Sequence, residues 1–281
     1  ALEIKKAVEV INEAKRQELS KADARSAEVI KPWLRGRDIK RWRVEPAGQY
    51  LIAIQNSDDA DARNPWGKAK TEREARRIFR DTYPAVHDHL SRWELYKETD
   101  KQGREHDSGL TIRQDHGKWW WELRACAYYG EFERPKLIWP DITNAMRFAW
   151  DNMGCFSGNT TYFTTVLPIW ALPILNSSLI EFQLRLLSTS FRGGYVRMFT
   201  EYVEQLRLPE VDTLTQRRLV ATAEIALNGR GEDLQGLQLD ELAFDAFQLT
   251  AVERALVLEW RIGTTRQFDG GTIEDLDRNG K

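Results

Sequence analysis

The sequence predicts an α+β fold in which short strands and amphipathic helices alternate and a small helical segment closes the chain. Three observations predict it. Apolar runs bounded by proline or glycine, at residues 50–54 and 137–139, have the β-branched and aromatic character of strands. Apolar residues recur at helical spacing over 2–28 and 172–187, and a helix over 71–80 carries arginines on one broad face. Beyond about residue 211 the pattern is helical only, interrupted at Asn228-Gly229.

Composition narrows the classes of function. A chain of 281 residues suits one large domain, or a domain with a small appendage, and 42% hydrophobic residues are enough for a sizeable core. No stretch approaches the roughly 18 to 20 continuous apolar residues of a membrane span, and no signal peptide order opens the chain, so no membrane association and a cytoplasmic location are expected. Cys126 and Cys155 are too few for a disulfide framework or a zinc site, and two buried free thiols are expected. The sequence opens at Ala1 without an initiator methionine, and an upstream module is expected. A net charge of −2 excludes a general DNA coat, yet the charge is unevenly spread. Residues 1–43 hold twelve Lys and Arg against seven acids, whereas 231–281 hold eleven acids against five bases. Arginine outnumbers lysine about two to one, which suits bidentate recognition of phosphate or guanine, or equally reflects the codon usage of a GC-rich genome.

Residues 2–28 read as an amphipathic helix on the spacing of Ile4, Val8, Ile11 and Leu19. The stretch 29–43 then places six cations and one acid beside Trp33 and Trp42. Pro32 and Gly36 keep it from being helix, so Arg35, Arg37, Lys40 and Arg41 would present their charges from a loop as a site for a polyanion. A solvated surface over two core tryptophans accounts for it as well. A strand is predicted at 50–54, and a helix over 71–80 carries Arg73, Arg76, Arg77 and Arg80 on one broad face. If Pro84 to Leu90 is helical, His87 and His89 point apart on it, which argues against a metal pair. Residues 97–117 are polar and read as a loop. Trp119, Trp120 and Trp121 suit a strand occupied on both faces, packing into the core or stacking an unpaired base. Strands are predicted between Pro135 and Pro140 and after the turn at Gly158, followed by a helix beginning near Pro173. Gly193 and Gly194 let the backbone approach a ligand, flanked by Arg192, Tyr195 and Arg197, or serve as a hinge with surface arginines. Residues 203–209 read as a closing strand, Thr250 and Glu253 as a capping box, and 263–281 as a flexible tail.

Several of these segments, in order, resemble the C-terminal target-recognition domain of TaqI-type adenine-N6 DNA methyltransferases and of fused type II restriction-modification enzymes. The resemblance rests on 30–42, on Tyr83-Pro84 with His89-Leu90, on Pro135 to Ile142, on Asn159-Thr160 with Tyr162-Phe163, on Leu175-Asn176-Ser177, and on Arg192-Gly193-Gly194-Tyr195 with Arg197. It spans about 29–210 and continues more weakly over 240–256; Pro173 departs from it. It implies a mixed β-sheet flanked by helices, and a division into an N-terminal helix or linker (1–28), a recognition domain (29–210), a helical segment (211–262) and a tail (263–281). It also implies double-stranded DNA and an upstream methyltransferase domain as partners. Arg35, Arg37, Lys40, Arg41 and Arg192 would hold phosphates, with Gly193 and Gly194 at close backbone approach. Asn159, Thr160, Tyr195 and Arg197 would face the groove edges.

Catalysis is not expected from this chain. It has neither the Asn-Pro-Pro-aromatic loop that holds a flipped adenine nor a Gly-rich turn for S-adenosylmethionine, a cofactor expected in the upstream module; Asn64-Pro65-Trp66-Gly67 has only one proline. After Pro140-Asp141 the next lysine is Lys281, which excludes that order of nuclease motif, and no metal site or other catalytic signature is apparent. A type I-like specificity subunit and a protein-interaction module of a restriction or phage-defence complex remain as alternatives.

Overall fold

The computed structural model describes residues 9–189, 194–231, 234 and 236–267. In chain order these form β1 (Val10–Asn12), α1 (Glu13–Ala22), β2 (Ile30–Leu34), β3 (Trp42–Arg43), β4 (Gln49–Ile52), α2 (Glu72–Thr82) and α3 (Pro84–Ser91). Strands β5 (Tyr96–Thr99), β6 (Glu105–Ser108), β7 (Lys136–Pro140), β8 (Ile142–Thr143), β9 (Ala149–Asp151), β10 (Phe156–Ser157) and β11 (Thr161–Thr164) follow. The remainder is α4 (Ala171–Leu175), α5 (Ser178–Leu187), β12 (Val196–Arg197), α6 (Thr200–Val203), α7 (Thr213–Ile225), α8 (Gly236–Ala246) and α9 (Ala251–Gln267). The fold is α+β. It divides into two compact units interleaved in sequence: one comprises residues up to Trp33 with 46–134 and 153–156, the other 34–45, 135–152 and 157 onward.

In the first unit β4 pairs antiparallel with both β1 and β2, in a sheet of order β1-β4-β2-β10. The helix expected over 2–28 is shorter, and residues 1–8 lie outside the described ones. Val10 and Ile11 are β-branched and pair with Leu51 and Tyr50. The Asn12 side chain then caps α1 by accepting the Lys15 N–H at 2.9 Å, and Asp23 ends that helix in an extended conformation. Helix α2 lies where the helix over 71–80 was predicted, and the structure adds a Thr71 cap; α3 begins on Pro84, as the resemblance implied.

The three tryptophans do not form a strand. Glu122, fully buried, accepts the Trp119 backbone N–H at 3.1 Å, the Trp66 indole N–H at 2.8 Å and the Ser57 N–H at 3.1 Å. The backbone turns there to serve the carboxylate, since a buried carboxyl group with several lone pairs needs several donors. Trp121 stacks on Phe79 at 5.2 Å and on Trp119 at 5.9 Å, and Trp66 meets Phe79 edge-on at 5.0 Å. Residues 97–117 are not all loop either, because β5 and β6 form a hairpin from Tyr96↔Ser108 to Thr99↔Glu105. Asp100 accepts the Gln102 and Arg104 N–H groups and Gly103 takes φ +80°, so turn chemistry rather than apolar alternation builds it.

In the second unit the sheet runs β11-β7-β9-β3, with β3 parallel to β9 and the other pairs antiparallel, and β12 pairs with β8. The single helix expected over 172–187 is broken between α4 and α5. Asn176, 1% exposed, donates to Phe148 O at 2.8 Å and Leu172 O at 3.1 Å and accepts the Phe148 N–H, while Ser177 caps α5. Helices α7 and α8 close over α4 and α5, with Leu219, Ala223 and Leu239 in one cluster with Leu137, Phe148, Leu172 and Ile180. The Thr250–Glu253 capping box forms as predicted at the head of α9. Residues 203–209 hold no strand: α6 ends at Val203, and Leu206 and Leu208 rest half-buried on the core. Cys155 is buried and Cys126 only half-buried, and neither is in a disulfide.

A fully buried ion pair ties β7 to β9, with Lys136 Nζ 2.6 Å from the Asp151 carboxylate across the register Lys136↔Asp151. Removing one partner strands a charge in the core, so Asp151→Ala is expected to lower stability by about 3–5 kcal/mol. Urea unfolding followed by tryptophan fluorescence measures this; a loss below about 1 kcal/mol would mean that the pair does not hold the strands together.

Candidate nucleic-acid interface

The basic stretch leaves the sheet between two buried anchors, Leu34 and Ile39. Between them Asp38, itself buried, gathers three donors. The Arg35 backbone N–H and Nε each reach Oδ2 at 2.9 Å, and Arg35 Nη2 reaches Oδ1 at 3.0 Å. The fork predicted to hold phosphate is therefore occupied by an internal carboxylate, and Arg35 shapes the turn. Gly36 at the turn's tip packs directly on Thr160, where an added Cβ would lie 3.0 Å from the carbonyl oxygen, and its N–H donates to Thr160 Oγ1 at 3.3 Å.

Arg37 and Lys40 project from this turn and are exposed. Lys40 Nζ donates to Arg37 O at 2.8 Å, and neither side chain has an acidic partner among the described residues. Arg41 is exposed as a residue, but its guanidinium is engaged, donating to Asn176 O at 2.7 Å and lying 4.9 Å from the centre of the Trp42 ring. Trp42 has φ +82°, which a residue with a Cβ rarely adopts. Its N–H bonds Phe148 O at 3.0 Å, and Gly231 lies against its indole, where a Cβ would come within 2.7 Å of the ring. The surroundings thus enforce the strained conformation.

Asp141 collects the other predicted segments. Its N–H donates to Thr160 O at 2.9 Å, its C=O accepts the Met198 N–H at 2.7 Å, and its carboxylate accepts Arg197 Nη1 at 3.0 and 3.3 Å. Arg197 also lies over the Phe199 ring at 4.8 Å. Burial first, and the Asp141 carboxylate second, raise the pKa of Tyr162 above its usual value, so its phenol is neutral at physiological pH. Asn159 and Thr160 occupy an exposed turn. Tyr195, expected at a groove edge, is 5% exposed and faces the interior, so its ring is packing rather than a contact surface. Gly194 takes φ +76°, and its carbonyl accepts Arg185 Nη1 at 3.0 Å. Arg192 and Gly193 lie outside the described residues.

The structure thus brings 35–40, 159–160 and 197 together around Asp141, within the second unit. Sequence reasoning missed Asp38, Asp141, Asn176 and Arg185 as the groups that position this cluster. Two of them carried a local signal, the i,i+3 spacing of Arg35 and Asp38 and the i,i+4 spacing of Glu181 and Arg185, a pair 2.8 Å apart.

A family model described as the TaqI-like C-terminal specificity domain matches residues 31–208. The chain belongs to this family. Among curated relatives of the specificity domain, the type II methyltransferase M.BstVI of Geobacillus stearothermophilus is 22% identical over 235 residues, covering 82% of this chain and 36% of that protein. Among solved structures, the type IIL restriction-modification enzyme MmeI, described in complex with DNA, shares the fold at a TM-score of 0.50. Its sequence identity is 11%, covering 92% of this chain and 34% of that one. The type IIG restriction endonuclease BpuSI aligns at a TM-score of 0.44 and 12% identity, over 88% of this chain and 30% of that one. The chain spans about a third of the length of these relatives. No helix among the described residues is long and apolar enough to cross a membrane.

Within the turn, structural and solvent-facing residues separate by mutation. Asp38→Ala, which leaves the Arg35 donors without their acceptor, is expected to cost about 1–3 kcal/mol. Arg37→Ala is expected to stay within about 0.5 kcal/mol of wild type. Chemical denaturation of the two variants tests the assignment, and equal losses would contradict it.

Proposed function

We propose that this chain is the sequence-specific DNA-recognition module of a type II, IIG-like restriction-modification or adenine-N6 methyltransferase protein, positioning duplex DNA for a catalytic domain outside these 281 residues. The observation that carries the reading is the cluster around Asp141. It fixes the backbone of three segments distant in sequence while leaving Arg37, Lys40 and Asn159 facing solvent.

The chemistry suits DNA. Arg37 and Lys40 are cations on a pinned turn, able to neutralise neighbouring phosphates without first giving up an internal partner. Asn159 offers an amide whose donor and acceptor can pair together with one base edge, adenine N6 and N7 being the best match. Thr160 Oγ1 already accepts the Gly36 N–H, which leaves its hydroxyl proton to donate outward. Arg35, Arg41 and Arg197 already have partners within the chain and shape this surface. Family membership supports the reading, as does the fold shared with MmeI, which is described in complex with DNA.

S-adenosylmethionine does not fit the residues here. No Gly-rich strand-to-helix turn and no Asn-Pro-Pro-aromatic loop occur in the sequence, so the cofactor and the transfer step are assigned to a methyltransferase domain outside this chain. A cytoplasmic location accords with that assignment.

The test is selection from a pool of random-sequence duplexes at about 50 and 200 mM salt, with the bound fraction sequenced. Enrichment of a short motif is the expected result; absence of binding at both salts would overturn the reading in favour of a protein-interaction module. Arg37→Ala with Lys40→Ala is expected to weaken all duplexes alike and to reduce the slope of log K against log salt by about 2. Asn159→Ala is expected to relax the enriched motif at one position, worth about 1–3 kcal/mol of discrimination.

A further inference from the structure

A second cationic surface lies in the first unit, on α2. Arg73, Arg77 and Arg80 fall at i, i+4 and i+7, one stripe of the helix, and all three are exposed, while Ala75 and Phe79 on the other side are buried in the core. Arg76 flanks the stripe but is spoken for. Its guanidinium takes both oxygens of Glu94 at 2.9 and 2.6 Å and sits 5.5 Å from the Trp120 ring centre. With Thr71, Glu74 and His87 these arginines line a hollow on the surface of this unit.

The charge in that hollow is not balanced internally. Arg73 and Arg77 have no acidic partner among the described residues. Arg80 has only the adjacent Asp81, at 3.6 Å with both side chains more than half exposed, a pair worth little in water. Glu74 is engaged at the head of the helix, its carboxylate accepting the Lys70 N–H at 3.1 Å and its own N–H donating to Thr71 Oγ1. Like charges at i,i+4, such as Arg73 with Arg77 and Arg76 with Arg80, cost an isolated helix a few tenths of a kcal/mol each. The stripe itself thus carries three arginines with no strong internal partner to offset them.

The stripe from Arg73 to Arg80 is about 10 Å long at ~1.5 Å per helical residue. Duplex DNA carries one charge per ~1.7 Å of its axis, so a stripe of that length passes several phosphates and matches an extended polyanion better than a single small ion. We propose that the α2 face of the first unit is a sequence-independent contact for the DNA sugar-phosphate backbone, supplied by Arg73, Arg77 and Arg80 and separate from the base-reading cluster of the second unit. Arg76 keeps the helix docked through Glu94. The identity of the polyanion rests on the DNA-recognition reading; the surface itself is argued from its own geometry.

The test compares three forms of the whole 281-residue chain against a random-sequence duplex pool between about 50 and 200 mM salt. These are wild type, the triple variant Arg73→Gln, Arg77→Gln, Arg80→Gln, and a charge-loss control, Arg217→Gln with Arg218→Gln, on exposed positions of α7. Circular dichroism checks that α2 is retained. The expected result is a salt slope reduced by about 2 to 3 in the triple variant, at about 0.9 per phosphate contact, with an unchanged enriched motif and an unchanged slope in the control. A triple variant with the wild-type slope overturns this contact while leaving the function of the second unit standing. A comparable drop in the control overturns it by reducing the effect to net charge. Wild-type chain that binds no duplex at either salt overturns both this inference and the DNA-recognition reading.

Discussion

Asp141 is the constraint on which the candidate interface depends. It follows the end of β7, where a chain leaving a sheet would otherwise give its backbone groups to water. Instead its N–H goes to Thr160 O, its C=O to the Met198 N–H and its carboxylate to Arg197. One residue thus binds two segments distant from it in sequence, and through Thr160 a third, since Gly36 is seated on that residue. Each bond on its own contributes about 1 kcal/mol net, but their convergence on one residue makes the segments a single rigid platform.

The arginines divide by what their forks face. A guanidinium matches a carboxylate or a pair of carbonyls as well as it matches phosphate, so arginine richness alone does not reveal a ligand site. Arg35, Arg185 and Arg197 are held by carboxylates of their own chain, and Arg41 by the Asn176 carbonyl. Those left facing solvent, Arg37 in one unit and Arg73 and Arg77 in the other, are where an external anion gains most, because nothing internal has to be released first.

The first unit is organised by the same logic, again around a carboxylate that gathers donors. Glu122 is an acceptor sealed among tryptophans, and the Trp66 indole, the Ser57 N–H and the Trp119 N–H come to it. The aromatic cluster that suggested a stacking platform is largely spent in the core: Trp121 is 1% exposed and packs against Phe79 and Trp66.

The sequence by itself determined the α+β class, the helices from Thr71 and Pro84, the strand before Pro140, the capping box at Thr250 and the family. These are encoded locally, in caps, proline positions and apolar spacing within one element. Tertiary structure decided the rest. Whether Arg35 or Arg37 meets solvent turns on Asp38, whose burial is invisible in the string. The break at Asn176 depends on Phe148, and the turn of the tryptophans depends on Glu122. The inward turn of Tyr195 is likewise a matter of packing. For Asn176 and Glu122 the side chain meets polar groups brought from far along the chain, Phe148 in the one case and Ser57 and Trp66 in the other, and a sequence pattern carries no distance between them.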